Sequence, residues 1–492
     1  MKKLFHAMVL VSAFFFIACS SPTSSSDSSS SGGQGQQGQQ NPDGTTVTYE
    51  KLQLKTGAKI NDILESLNSS KDAEAFLPSS TPPQKSASVK YLDLLEKDVP
   101  IWYNSSNKTF YFYADDVTTE GATKKLKLNK FSTYMFLLFK NLETLDISHF
   151  NFSEVENFTC MFGFCESLKT IDCSKIDTKN AKSMEKMFEY CKQLESLDVS
   201  NFDTSNVTNM LEMFSNCIAL KTLDVSKFDT SNVSNMSKMF QGCKAIKTLD
   251  VSNFKTDKVT NMSSMFDDCE ALTTLDVSGF KTNNVESTNS MFSGCSSLTS
   301  LDVSHFDTSK VKNMGSMFFQ CSSLTSLDVS NFNTSNVTNM LNMFSRCEKV
   351  PLIDVSNFDT KNCENMFGMF YLCKTITSLN LLKFDTSKVK NMSMMFCNCE
   401  ALTELDLSSF DTSKVEDMFL MFDSCKALTK IYVSEKFDTT LAATYQSDSM
   451  FFNCEKLEGG SGTKYENGKY LIKYAHIDGG PDNPGYFTAK TL

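Results

Sequence analysis

Aspartate recurs at a fixed interval through most of this 492-residue chain, and its carboxylates are the first candidates for chemistry. Most stand 26 positions apart: Asp146, Asp172, Asp198, Asp224, Asp250, Asp276, Asp302, Asp328, Asp354 and Asp406. Asn380 interrupts this aspartate column and Tyr432 ends it. A row of carboxylates could bind cations or a basic partner. We favour a local explanation, in which neighbours such as Ser300 and Ser304 donate hydrogen bonds and water screens the remaining charge.

Cysteine follows the same interval, which argues against a disulfide framework. Eleven of the 17 cysteines form this column: Cys165, Cys191, Cys217, Cys243, Cys269, Cys295, Cys321, Cys347, Cys373, Cys399 and Cys425. A residue that occurs once per structural unit is first a packing residue, and free cysteine is among the most buried residue types. The extra thiols Cys160, Cys173, Cys363 and Cys397 could form isolated disulfides with column cysteines, but the sequence does not pair them. Because no cysteine pair with ligand spacing is accompanied by histidine, we expect no metal site.

Histidine is too rare and too scattered to suggest catalysis. The sequence has four histidines, and His149, His305 and His476 have no repeated acid, thiol or serine partner. We therefore expect a protein that is not an enzyme and that uses no cofactor. The net charge is −11 with lysines and acids interspersed, so no basic stripe indicates nucleic acid.

A 26-residue repeat without insertions must position these columns. Its twelve units begin at Leu142, Leu168, Leu194, Leu220, Ile246, Leu272, Leu298, Leu324, Val350, Ile376, Leu402 and Leu428. Apolar residues first alternate, as Leu301 and Val303 do, which is typical of a strand. They then recur at three- and four-residue steps, as Val311, Met314 and Met317 do, which is typical of a helix face. The sequence therefore predicts an α/β solenoid of leucine-rich-repeat type, a stack of strand-turn-helix coils with caps at both ends.

Two further columns each have a structural and a functional interpretation. Most units contain a turn such as Asp307-Thr308-Ser309, whose side chains could cap a helix start or present a threonine array to a regular surface. Of the 25 methionines, 22 occupy two columns, represented by Met314 and Met317. A methionine-rich surface can bind partners, but methionine at helical spacing beside phenylalanine is more often core. We favour the structural interpretation in both cases.

The repeated phrase resembles a known family. Its form L-x-x-L-D-V-S-x-F-D-T-S-x-V-x-N-M-x-x-M-F-x-x-C, seen at 194–217 and closely followed at 324–347, is similar to BspA-like leucine-rich repeat surface proteins of bacteria. The resemblance extends from about residue 131 to the C-terminus. It implies an exported protein, with adhesion to host matrix proteins or other bacteria in some members, and it implies neither catalytic residues nor a particular ligand. Departures from the pattern are Thr288 in a methionine column and Cys363 in the valine column, which we expect to loosen packing locally.

The start of the chain predicts a lipoprotein. Residues 1–18 read as a charged and then apolar signal peptide, too short to span a bilayer. They lead to Cys19 in an Ala-Cys junction that resembles a lipobox, so we expect lipid attachment at Cys19. The alternatives are a secretory signal cut elsewhere and a cysteine that stands there by chance. Residues 19–46 are mostly Ser, Gly and Gln and predict a disordered tether.

The remaining residues divide into a solenoid and two caps. We expect an N-terminal cap over 47–131, the repeats over 132–457 and a C-terminal cap or tail over 458–492. The first cap should contain an amphipathic helix around 60–67 and an aromatic strand pair around Trp102 and Tyr111.

The candidate binding face is the outward, concave side of the strands, because residues that alternate with buried ones point to solvent. On this face Leu352 replaces a hydroxyl residue before a core position, and Leu382 replaces a serine one coil further on. Exposed apolar groups can mark partner contacts, although solitary exposed leucines are ordinary. The candidate residues are Asp198, Asp224, Asp250, Asp276, Asp302, Asp328, Asp354, Leu352, Asn380 and Leu382.

These features predict a lipid-anchored binding protein or adhesin at the cell surface or outer membrane. Its expected partner is a protein or cell-surface macromolecule, of the host matrix or of other bacteria, and the membrane is contacted through the N-terminal lipid alone. The alternative is a structural or antigenic envelope coat protein without a dedicated ligand.

Overall fold

The computed structural model describes residues 57–68, 72–83, 88–93, 98–114, 124–444 and 449–490. All of them belong to a unit that spans residues 51–492. The predicted signal peptide, Cys19 and the tether lie outside the described residues. Within the described ranges, no helix combines the length and the apolar composition that a membrane span requires.

A five-stranded sheet and a helix close the N-terminal end of the repeats. The elements are α1 (Gly57–Leu67), β1 (Ala75–Pro78), β2 (Val89–Asp93), β3 (Asp98–Asn104), β4 (Thr109–Phe112), β5 (Leu126–Lys127), β6 (Thr144–Leu145) and β7 (Phe150–Asn151). The sheet order is β2-β3-β4-β1-β6, in which β1 pairs in parallel with both β4 and β6. Because β6 belongs to the first repeat, the cap continues directly into the coils.

The helix and the aromatic strands of this cap lie where the sequence pattern places them. Helix α1 buries Ile60, Ile63 and Leu64 on one face. Trp102 lies opposite Tyr111 across β3 and β4, with ring centroids 5.8 Å apart.

The repeats form a solenoid in which equivalent residues of successive coils stand 26 positions apart. Parallel bridges join equivalent residues of successive coils without interruption from Asn157 to Asp417. On the leucine side, short strands pair with the same offset, at β8 (Ser196–Leu197) with β9 (Thr222–Leu223), and at β10 (Glu404–Leu407) with β11 (Lys430–Val433). A 3₁₀ turn, η1 (Cys173–Lys175), lies between β7 and β8.

The second half of each coil is not a helix, and the strand-turn-helix prediction is wrong on this point. The backbone N–H of Met314 donates to the carbonyl of Asn339 in the next coil at 3.1 Å, whereas a helix would direct it four residues back. Ser316 has a φ of 55°, which the right-handed helix excludes. A tight turn joins the Met317 N–H to the Met314 carbonyl at 3.2 Å. Such turns produce the three-residue spacing of buried side chains that a helix also produces.

Methionine, phenylalanine and cysteine fill the interior of the coils. Met314 and Met317 are fully buried, so these columns are core. The phenylalanine that follows the second methionine stacks on its equivalents from Phe136 to Phe451, with ring centroids 5.4 to 5.9 Å apart. These rings form a continuous stack through the solenoid, and each contact lies within the range that favours aromatic pairs.

The cysteine column is a set of buried free thiols. Each Sγ donates to a phenylalanine carbonyl of the preceding coil, as Cys321 does to Phe292 at 3.1 Å. Burial raises the pKa of Cys347 to about 12, so its thiolate is scarce at neutral pH. The extra cysteines Cys173 and Cys363 are also free and buried, and neither forms the isolated disulfide that the sequence allowed.

The threonine of the turn lies inside the coil, and the capping interpretation is wrong for it. The threonine column comprises Thr178, Thr204, Thr230, Thr256, Thr282, Thr308, Thr334, Thr360, Thr386 and Thr412, all 0 to 3% exposed. The Thr256 hydroxyl donates to the carbonyl of Lys281 in the next coil at 2.9 Å and accepts from the N–H of Lys281 at 2.6 Å. The aspartate before it makes the local turn, as Asp307 accepts from the N–H of Ser309. The threonines therefore join coils and present no array to solvent.

The C-terminal residues close the other end of the stack. β12 (Thr488–Ala489) pairs in parallel with β11, after α2 (Thr440–Thr444) and the 3₁₀ turn η2 (Ile472–Tyr474). Asp478 is buried and its carboxylate accepts the backbone N–H groups of Ser461, Thr463 and Gly480 at 2.9 Å. These bonds hold the glycine-rich tail against the last coils.

Candidate binding face

The aspartate column lies on the solvent side of the strand segments. Asp302 is exposed between buried Leu301 and Val303, as the alternating pattern predicts. The other candidate aspartates are exposed in the same way: Asp198, Asp224, Asp250, Asp276, Asp328 and Asp354. The repeat therefore carries one carboxylate per coil along a single face.

Each carboxylate forms hydrogen bonds within its own coil. Oδ1 of Asp302 accepts the N–H of Ser304 at 3.0 Å and the Ser304 hydroxyl at 2.7 Å. Asp276 and Asp354 accept the N–H of the serine two residues later in the same way. These hydrogen bonds hold the pKa of Asp276, Asp302 and Asp354 below its ordinary value, so the carboxylates are ionised at neutral pH. The serines thus satisfy one oxygen of each carboxylate but leave the negative charge in place.

Four consecutive coils carry these charges without a lysine or arginine on their strand segments. The first nine residues of the units that begin at Leu272, Leu298, Leu324 and Val350 contain no lysine or arginine. In the described part of the chain, Asp172 pairs with Lys175 and Asp406 with Lys490, whereas none of the four aspartates of these units forms an ion pair. We call Asp276, Asp302, Asp328 and Asp354 the acidic stretch.

A shallow groove of about 700 Å³ lies over the acidic stretch. Leu275, Leu301 and Leu327 line it together with the four aspartates, and Pro351 and Leu352 complete its apolar lining. These leucines are 5 to 8% exposed, whereas Leu352 is 62% exposed. The groove therefore combines a row of negative charge with an apolar surface.

The structure separates candidates that the sequence had grouped. Leu352 lines the groove, whereas Leu382 is 50% exposed but is not among its lining residues. The Asn380 side chain accepts the N–H of Leu382 at 3.4 Å. It therefore forms the same local turn as the aspartates of the column but carries no negative charge. Asp198, Asp224 and Asp250 also lie on this face but outside the groove: all three are absent from its lining.

Sequence reasoning missed several groove residues, among them Pro351, Thr325 and Ser326. The available signal was Val350-Pro351-Leu352, which stands where the three preceding units have Leu-Thr-Thr or Leu-Thr-Ser.

Among the residues that the structure describes, no group of three or more His, Cys, Asp or Glu side chains is arranged to hold a metal ion. His305, beside the acidic stretch, directs Nε2 to the carbonyl of Val277 at 3.1 Å. What this face can do chemically is attract positive charge along a row and bury apolar groups beside it.

Comparisons with known proteins concern the repeats. A family model described as "Mycoplasma protein of unknown function, DUF285" matches residues 127–222, 191–301, 272–378 and 347–463. Together these matches span 127–463, more than half of the 492 residues. A search of curated proteins finds no match.

One solved structure that is similar is described as "Functional domain of InlJ from Listeria monocytogenes includes a cysteine ladder". It has 17% sequence identity and a TM-score of 0.22, and the similarity covers 57% of this chain. The present chain spans 64% of the length of that structure.

Proposed function

We propose, from the premise that this chain belongs to the family described as Mycoplasma protein of unknown function, DUF285, that it binds a macromolecule through the groove over the acidic stretch. The proposal places the protein at the cell surface or outer membrane, anchored by lipid at Cys19 and held away from the membrane by the tether of residues 19–46. The resemblance of the repeated phrase to BspA-like surface proteins supports this role as a non-catalytic adhesin. A repeat solenoid suits such a role because stacked coils build a broad, regular surface.

The observation that carries the proposal is a row of four like charges over an apolar groove. Neighbouring strands lie about 4.8 Å apart, and like charges at that distance repel by roughly 1 kcal/mol even in water. Elsewhere the same fold neutralises charge between coils, as Lys312 does with Glu286 at 2.7 Å. The aspartates of the acidic stretch form no such ion pairs between coils within the described part of the chain. This supports a role for their charge in binding a partner and not in stabilising the fold.

Leu352 provides the second feature of a binding surface. A leucine that is 62% exposed at the end of a polar groove offers an apolar contact that only a partner would bury.

Binding of the full-length protein to immobilised host matrix proteins and to whole bacteria tests the proposal. We expect saturable capture, reduced at least tenfold by Leu352→Ser. Leu382→Ser is the matched control, since it removes another leucine that is at least half exposed but does not line the groove, and it should leave capture unchanged. If no matrix protein or cell is captured, the chain is better described as an envelope coat without a dedicated ligand.

The anchoring part of the proposal has its own test. Cells fed a labelled fatty acid should incorporate it into the wild-type chain and not into Cys19→Ser. An unlabelled wild-type chain would contradict lipid attachment.

A further inference from the structure

We propose that the groove takes an extended segment of a partner polypeptide that carries lysine or arginine at alternate positions and crosses the four coils of the acidic stretch. This inference rests on the proposed function, since it names the partner chemistry of the same groove.

The chain itself shows how this face engages a lysine. At the C-terminal end, the extended segment β12 lies beside β11, and the next residue, Lys490, donates to Oδ2 of Asp406. Its ammonium lies 5.4 Å from the ring centroid of Tyr432. Asp406 belongs to the aspartate column, and its Oδ1 accepts the N–H of Ser408 as Oδ1 of Asp302 accepts that of Ser304. One oxygen thus keeps the turn while the other binds a lysine. Because β12 runs parallel to β11, this pair shows the lysine contact alone, and the direction of a bound segment follows from the spacing of the charges.

The acidic stretch offers the same atoms without an occupant from the described residues. Oδ1 of Asp302 and of Asp328 accepts hydrogen bonds from the serine two residues later, and no described residue donates to their Oδ2 atoms. Asp302 and Asp328 therefore have the same turn as Asp406, with an Oδ2 atom in the place where Asp406 binds Lys490.

The spacing of the charges favours a ligand that crosses the coils. With one carboxylate per coil at about 4.8 Å, the four carboxylates span about 14 Å. In an extended polypeptide, alternate side chains point to one face at intervals of about 6.6 Å, so three basic residues at i, i+2 and i+4 span about 13 Å. The aliphatic stems of lysine and arginine can lie on Leu301 and Leu327 while their charged ends reach the carboxylates. An apolar residue at the end of the segment would meet Pro351 and Leu352.

Binding of two peptides of equal composition to the full-length protein tests this inference. The first, Lys-Ser-Lys-Ser-Lys-Ser-Leu, places its basic residues at alternate positions, and the second, Lys-Lys-Lys-Ser-Ser-Ser-Leu, places them in a block. Fluorescence anisotropy should show the alternating peptide binding at least fivefold more tightly, with an affinity that falls as salt screens the charges.

Matched variants locate the site. Asp302→Asn with Asp328→Asn should weaken binding of the alternating peptide at least tenfold. Asn retains an Oδ1 for the serine N–H, so the turn and the fold should persist, which circular dichroism can verify. Asp198→Asn with Asp224→Asn alters the same column outside the groove and should leave binding unchanged.

Three results would overturn the inference: no binding of the alternating peptide, equal binding of both peptides, or equal loss in both double variants. If Leu352→Ser still abolishes capture of a matrix protein in those cases, the groove binds a partner of another chemistry and the proposed function stands. If that capture is also unaffected, the proposed function fails as well.

Discussion

The threonine column and the aspartate column recur with the same interval, yet their hydrogen bonds run in different directions. Thr256 is buried and bonds to both backbone groups of Lys281 in the next coil. Asp302 is exposed and bonds to Ser304 in its own coil. The threonine side chains use their hydrogen-bonding groups to join one coil to the next. The aspartate side chains bond within their own coil, so one carboxylate oxygen points outward and can bind a partner.

A third column shows that like charge on the surface is not imposed by the repeat. Lys130, Glu156 and Lys182 occupy equivalent positions of successive coils, and Glu156 pairs with both lysines, at 2.9 and 2.7 Å. These hydrogen bonds lower the pKa of Glu156 to about 2. Charge of alternating sign is neutralised between coils here, so the single sign of the acidic stretch is a property of its sequence and not of the fold.

The largest expected effect comes from breaking a bond between coils. Thr256→Val removes the hydroxyl and leaves the N–H and carbonyl of Lys281 without it, so the unfolding free energy should fall by about 2 to 4 kcal/mol. The measurement is denaturant unfolding followed by circular dichroism. Thr260→Val is the control, since Thr260 is exposed and its bond to Ser234 is long at 3.4 Å. Equal unfolding midpoints for the two variants would contradict the conclusion that the buried Thr256 bonds stabilise the stack of coils.

A buried carboxylate sharpens the contrast with the exposed aspartates. The Glu189 side chain is 7% exposed and lies 3.6 Å from Lys186, which bonds to Glu212 at 2.7 Å. Glu212 also pairs with Lys238. Burial raises the pKa of Glu189 to about 7, with Lys186 opposing this effect and the charge of Glu212 adding to it.

This shift predicts a pH dependence. Between pH 4.5 and about 7 the folded state keeps a proton on Glu189 that the unfolded state releases, so stability falls as pH rises through this window. In Glu189→Gln, the fall in unfolding free energy over this pH window should be smaller than in wild type by about 1 to 3 kcal/mol. Thermal unfolding at pH 5 and pH 8 checks this, because the melting temperature of the variant should change less between the two pH values than that of wild type. An unchanged difference would mean that Glu189 is ionised in the folded protein.

Removal of the buried Thr288 hydroxyl should have a smaller effect on stability than Thr256→Val, and of opposite sign. Thr288 is fully buried in a methionine column, and its Oγ1 has no hydrogen-bond partner among the described residues. Thr288→Val should raise the unfolding free energy by about 1 kcal/mol, because it removes an unsatisfied polar group without changing the shape. Thr282→Val in the same unit should lower stability, since Thr282 donates to the carbonyl of Asp307 at 2.9 Å. Changes of the same sign in both variants would contradict this assignment.

The smallest effect on stability should come from the acidic stretch itself. Asp302→Asn keeps the turn with Ser304 and relieves repulsion from Asp276 and Asp328, so we expect a change within about 0.5 kcal/mol at physiological salt. At low salt the variant should be the more stable, because repulsion is then less screened. Melting temperatures at low and high sodium chloride measure this. Strong destabilisation would show that the carboxylate holds the coil together.

The sequence predicted much of the fold because its signals were local and repeated twelve times. The buried Leu301 and Val303 and the exposed Asp302 followed from alternation in an extended segment. The prediction failed between Val311 and Cys321, because stacked tight turns and a helix both bury residues at three- and four-residue steps. Of the site, the aspartates and Leu352 were identified, whereas Pro351 and Thr325 were not. A groove formed by four coils shows within one of them no more than the departure Val350-Pro351-Leu352.

The sequence by itself determined which residues recur, where each coil begins and which side of the strand segment carries charge, because period and alternation are properties of the chain alone. The tertiary structure alone decided the direction of the hydrogen bonds. Stacking brings the Lys281 backbone to the Thr256 hydroxyl, and it places Leu352, but not Leu382, at the groove. Such contacts join residues about 25 positions apart or more, and they exist only once the coils are laid against one another.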